Sequence, residues 1–226
     1  MDWTRPINAY CERLGPEFWA EPVNAVTNGA FLIAALFAWL LWRRRAPGDA
    51  GVLFLVIVVA VVGIGSFLFH TFANRWSALA DVVPIAVFIY AYFFLAMRRI
   101  LGLGLGWSIG ATLAFLAASY GVAPQLSGIL GSSAGYAPAA LAIFGVAALA
   151  ARRCPPASAP LALAGTVFVI SLAFRMSDIP FCPSFPLGTH FVWHCLNALV
   201  LYLLIRILVL FAPLARAAEP AGARGG

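Results

Sequence analysis

The sequence predicts an all-α membrane protein, a seven-transmembrane helix bundle with its N-terminus outside and its C-terminus cytoplasmic. Three observations predict it. The chain is 63% hydrophobic and only 10% charged, with a mean hydropathy of +0.96. A soluble domain of 226 residues has too little polar surface to keep that much apolar area out of water. The apolar residues fall into runs long enough to span a bilayer core, which needs about 20 residues each. The runs are separated by arginine clusters or by proline- and glycine-rich turns.

Seven spans are expected, at roughly 24–42, 52–72, 78–97, 102–121, 136–151, 159–174 and 188–211. The breaks "RRRAPGDAG", "RRILGLG", "GSSAGYAP", "ARRCPPASAP" and "DIPFCPSFPLG" supply the punctuation. Residues 1–23 form an acidic N-terminal segment without the apolar run of a cleavable leader. Residues 24–211 are expected to form the seven-helix transmembrane domain. Residues 212–226, "APLARAAEPAGARGG", have the composition of a disordered cytoplasmic tail.

The net charge is +6, and all 14 basic residues are arginine. In a soluble chain this balance suggests nucleic acid. Here the arginines mark topology, and no nucleic-acid partner is expected. With seven spans, Arg43, Arg44, Arg45, Arg98, Arg99, Arg152, Arg153, Arg206, Arg216 and Arg224 share one side. Arg5, Arg13, Arg75 and Arg175 take the other. The positive-inside rule puts the first group in the cytoplasm.

Ionisable residues inside a membrane are expensive and mark function. His70, His190 and His194 are the three histidines of the chain, and Asp81 joins them inside predicted spans. The predicted topology brings all four to one depth near the outer leaflet. His190 and His194 are four apart, so they share a helix face about 6 Å apart. Such a pair suits either two nitrogens on one metal or two hydrogen-bonded interfacial residues. Three histidines at one depth favour the metal, with a fourth position open as in catalytic zinc sites. Ser66 shares a face with His70, and its alternative role is a small packing residue beside Gly63 and Gly65. Asp81 has the alternative role of a helix cap. Trp193 reads as an interfacial aromatic and Cys195 as packing.

Together these residues resemble the alkaline ceramidase family, seven-helix zinc amidases in a superfamily that includes adiponectin receptors. The resemblance rests on Ser66, His70, Asp81 and "HFVWH" with His190 and His194, on Cys11–Glu12, and on "EPVNAVTN". It spans residues 8–205. It implies hydrolysis of the amide of ceramide to a sphingoid base and a fatty acid. It implies zinc on His70, His190 and His194, Asp81 taking a proton from the attacking water, and Ser66 bonding the carbonyl or oxyanion. It implies a disulfide between Cys11 and Cys182. It also implies calcium on Glu12, Glu21 and the Tyr10 carbonyl. The acidic position of the relatives is Asn8 or Ala9 here, and a hard cation prefers several oxygen ligands. Calcium and a solvated acidic strap therefore both remain open.

Other functions fit less well. A zinc hydrolase of another acyl-amide or ester lipid shares every feature. A seven-helix receptor with structural zinc has no need of the Ser66–Asp81 pair. The chain has no lysine for a retinal Schiff base. An ion-coupled transporter predicts broken helices at mid-membrane. Asp178 is expected to pair with Arg175 or to steer the approach to the last helix. Asn24 and Asn28 are expected to hydrogen-bond between helices or near the calcium site. Abundant Ala, Gly and Arg without Lys indicate a GC-rich bacterial genome, hence an inner-membrane protein with its site towards the periplasm and a membrane lipid, ceramide-like, as substrate.

Overall fold

Helix boundaries follow the sequence breaks, and they are seen here in a computed structural model that describes residues 2–217. Pro22 opens α1 (Pro22–Thr27). A first-turn proline gives up a donor that would have no helical partner anyway. Asn28 separates α1 from α2 (Gly29–Arg45), where the sequence predicts one span. α3 (Ala50–Phe72) starts at Asp49, whose side chain accepts from the Val52 amide at 3.1 Å. It ends at Ala73, in the left-handed region with φ 43°. α4 (Arg75–Arg99) follows at once, through a capping box between Asn74 and Ser77.

α5 (Leu105–Leu130), a 3-10 turn (Gly131–Tyr136) and α6 (Ala137–Arg153) come next. α7 (Pro155–Phe181) and α8 (His190–Ala217) complete the described chain. α8 reaches six residues into the expected tail that begins at 212; residues 218–226 of that tail lie outside the described residues.

Six segments are long and apolar enough to cross a membrane: Pro22–Arg45, Ala50–Phe72, Arg75–Arg99, Leu105–Arg153, Pro155–Phe181 and His190–Ala212. They fit a multi-pass membrane protein. The fourth has 49 residues, where the sequence predicts two spans at 102–121 and 136–151. α5 runs through Pro124 to Leu130 without a loop, and the bend comes at Gly131, at φ 51°. α6 then packs back on α5.

α8 is the central post, in contact with α2, α3, α4 and α7. Ile205, Ile207 and Leu208 lie on different faces of it, and all are buried. Phe31, Leu55, Phe88 and Leu161 pack in the same core. Leu36, Phe37, Ile57, Ile64, Val83 and Leu163 point outward and are exposed, as side chains facing lipid would be.

α3 and α4 make the closest approach, at Gly65. A Cβ there would collide with the Ala80 carbonyl, which is backbone and cannot turn aside. This contact sets Ser66 beside the start of α4. Gly65→Ala should push the two helices apart and cost about 1–3 kcal/mol. The melting temperature in detergent should fall by about 2–4 °C for each kcal/mol lost.

Candidate active site

The three histidines come from two helices. His70 lies in the last turn of α3, and His190 and His194 lie in the first two turns of α8. All three are buried, and one ring nitrogen from each lies within 4.8 Å of the others. His70 Nε2, His190 Nδ1 and His194 Nε2 are buried without a hydrogen-bond partner. Buried imidazole nitrogens left without partners are costly. A bound cation would satisfy the cluster, so the residues fit a metal.

The other nitrogens of two of these rings are anchored. His70 Nδ1 meets Glu21 Oε2 at 2.6 Å. His194 Nδ1 meets Thr27 Oγ1 at 2.9 Å. Such partners fix the tautomer and orientation of a ligating histidine. His190 is held differently, with its ring stacked on Tyr10 at a centroid distance of 3.7 Å. Its backbone N–H donates to Asp178 Oδ1 at 2.9 Å.

Glu21 is itself gripped. Its Oε1 pairs with Arg13 Nε, and its Oε2 also accepts from Asn24 Nδ2 at 3.2 Å. Burial pulls the Glu21 carboxyl upward, but His70 and the Arg13 guanidinium outweigh it and hold it below the ordinary carboxylate range. Arg13 is buried and also donates to the carbonyls of Gly15 (3.1 Å) and His70 (2.9 Å). A strap of the N-terminal segment thus reaches the end of α3 by both side chain and backbone. The backbone also pairs there, Ile7 N–H donating to the Ala73 carbonyl at 2.7 Å.

The residues expected to bind calcium make the following contacts. Both Glu12 oxygens accept first-turn amides of α1, from Val23 at 2.7 Å and Asn24 at 2.8 Å. Glu21 joins Arg13 to His70. Asn8 Nδ2 donates to the Arg13 carbonyl at 3.4 Å, and the Tyr10 carbonyl accepts from the Arg13 N–H at 3.3 Å.

Asp178 does not pair with Arg175. Its carboxylate receives the amides of Cys11 (2.8 Å), Thr189 (2.8 Å) and His190 (2.9 Å). It therefore caps α8 at the point where the first histidine is presented. Gly188, at φ 64°, lets the chain pass, because a Cβ there would run into both Asp178 and Cys11. Cys11 and Cys182 form a disulfide that locks the strap to the loop before α8. Arg175 instead donates to Ser132 and Ser133 and lies over the Tyr136 ring.

Ser66 and Asp81 lie side by side, with His70 and Arg175 within electrostatic reach of the carboxylate. Ser66 is buried and Asp81 half-buried. Three minor expectations need correcting. Trp193 is not interfacial; it is buried against Tyr136 and Phe168. Cys195 does not pack inside but is exposed, because it follows His194 onto the opposite face of α8. Asn28 Nδ2 donates to the Asn24 carbonyl within one turn, not between helices.

Below the histidines an apolar cleft opens between α4, α5, α6, α7 and α8. It begins one turn past the site, at Ile85 four residues after Asp81 and at Asn197 three after His194. Phe88, Phe115, Phe168 and Leu201 line its walls.

Residues 9–221 match the ceramidase family model. The chain belongs to the ceramidase family. A comparison with individually curated proteins gives no match. The matched range includes Glu21, Ser66, His70, Asp81, His190 and His194.

Sequence reasoning did not find Glu21 and Thr27 as histidine partners. They lie 49 and 167 residues from the rings they hold, and no spacing rule connects them. Glu21→Gln and Arg13→Ala should each weaken metal binding by roughly 10–100-fold, as loss of a ligand's orienting partner does elsewhere. Chelator competition on the purified protein measures this. Equal metal affinity in both variants would remove Glu21 and Arg13 from that role.

Proposed function

We propose that this ceramidase-family protein is an intramembrane zinc amidase that cleaves ceramide into a sphingoid base and a fatty acid. The observation that carries the reading is the buried set of three unpartnered histidine nitrogens, flanked by Ser66 and Asp81 and placed over an apolar cavity. His70, His190 and His194 would hold the metal. When bound, zinc supplies a Lewis acid that polarises an amide carbonyl and makes water nucleophilic near neutral pH.

The chain's residues supply the rest. Asp81 accepts the proton of the attacking water and returns it to the leaving amine, since an amide nitrogen departs only once protonated. Ser66 donates a hydrogen bond to the carbonyl oxygen as negative charge grows on it. The strap, with Tyr10 stacked over His190, keeps bulk water from the site and so strengthens each polar interaction within it. The cavity accepts a hydrocarbon chain while the headgroup stays at the bundle's end. The Ser66–Asp81 pair favours a hydrolase over a receptor with structural zinc.

The arginine distribution supports seven crossings, with α5 and α6 as separate spans and the strap on the periplasmic side of a bacterial inner membrane. At the strap we take the buried Arg13 guanidinium, not calcium, as the cation that binds Glu21.

Purified protein should carry one zinc per chain and release fatty acid from ceramide. His194→Ala should lose the metal. Asp81→Asn should keep the metal and lose turnover, and Ser66→Ala should slow turnover by roughly 10²–10³. Zinc-free protein, or full activity in Asp81→Asn, would overturn the mechanism. Activity on a lipid ester but not on ceramide would move the substrate to that class.

A further inference from the structure

The wall of the chain cavity carries polar side chains with no structural task, chief among them Asn197. Asn197 is 2% exposed, lines the cavity, and makes no side-chain hydrogen bond among the described residues. Its amide is not sealed off, unlike the unpartnered carbonyl oxygens of Asn24 and Asn28, so it opens on the cavity space. It lies three residues past His194, on the same side of α8 and about 4.5 Å further along the axis. Ile85, Phe88, Phe168, Leu201 and Leu204 around it offer a hydrocarbon chain nothing but methyl groups and rings. A leucine would fill the position at no polar cost. The hydroxyl of Tyr92, on the same wall, is likewise buried without a partner.

A side-chain amide offers two donor hydrogens and an acceptor oxygen. The group that uses both at once is a hydroxyl, which donates and accepts. We propose that Asn197 is a specificity-determining residue that hydrogen-bonds a hydroxyl on the lipid chain, a few bonds from the scissile amide. The preferred substrate class is therefore a hydroxylated ceramide. This rests on the lipid-amidase reading above. The 3-hydroxyl that every ceramide carries gives no discrimination; a discriminating hydroxyl has two further sources, C2 of the acyl chain or C4 of the sphingoid base. A buried polar group that loses its partner on binding a plain chain penalises that chain, which is how sites built for a hydroxyl reject analogues lacking it.

The test uses the full-length protein in detergent with four lipids. N-(2-hydroxypalmitoyl)- and N-palmitoyl-sphinganine form the acyl arm. N-palmitoyl-phytosphingosine and N-palmitoyl-sphinganine form the base arm. Wild type should favour the hydroxylated member of one arm by on the order of tenfold in kcat/KM, and the arm identifies the source. In Asn197→Leu that ratio should fall towards one, and Asn197→Ser should restore part of it. Melting temperature and zinc content report whether each variant is folded. The same ratios are read as competitive binding against a fluorescent ceramide in Asp81→Asn protein with and without Asn197→Leu. That arm decides the question even if no amide is turned over, so failure of the reaction and failure of the Asn197 assignment are told apart. Ratios near one in wild type in both arms, or ratios unchanged by Asn197→Leu, would overturn the proposal.

Discussion

The arrangement depends on one buried carboxylate. Glu21 touches His70 through one oxygen and Arg13 through the other, in a place from which water is excluded. A lone buried carboxylate would be prohibitive, and so would a lone buried guanidinium. Each is tolerable only with the other, and the pair is tolerable only if its remaining donors are satisfied. Arg13 meets that demand with carbonyls of the strap and of the end of α3. The histidine orientation, the strap conformation and the end of α3 are therefore one coupled unit. None of the three can relax without leaving a charge or donor unpaired.

Asp178 plays the matching part on the other side. Its carboxylate collects three amides, one from the strap, one from the turn before α8 and one from His190 itself. The disulfide between Cys11 and Cys182 closes the same corner covalently. A helix start is a mobile place, because its first amides have no helical partners. Here those amides are claimed by a buried acid, so the first ligand-bearing turn of α8 is held as firmly as the middle of a helix. The N-terminal segment, which contributes no spanning helix, thus organises both halves of the histidine set.

The ends of the bundle divide the work. At the site end, buried polar groups are largely engaged, among them Glu12, Arg13, Glu21 and Asp178. At the opposite end, Asp49 caps α3 and pairs with Arg99 of α4, among arginines that mark the charged face. Between them the bundle is apolar both inside and out. A lipid can then enter sideways, with its amide at the polar level and its chain in the cavity. Placing the site at the end of the bundle, not its middle, keeps the ionisable groups near water and lowers their cost.

Much of this was legible in the residues alone. Hydropathy runs located the helices, because lipid as a solvent demands continuous apolar length. Ser66, His70, Asp81, His190 and His194 stood out because polar groups in such runs are costly and so rarely accidental. The His190–His194 pair was readable because helical spacing is a local property. What the sequence could not determine was which groups complete the site. Spacing alone did not show that Glu21 reaches the His70 ring or that Glu12 receives the first amides of α1. Asp178 was readable either as a partner for Arg175 or as a guide to the last helix, and the fold shows it receiving the first amides of α8. Only the tertiary structure decided these, because a carboxylate takes whichever donors the fold brings within 3 Å, and those donors come from chain positions that no periodicity relates.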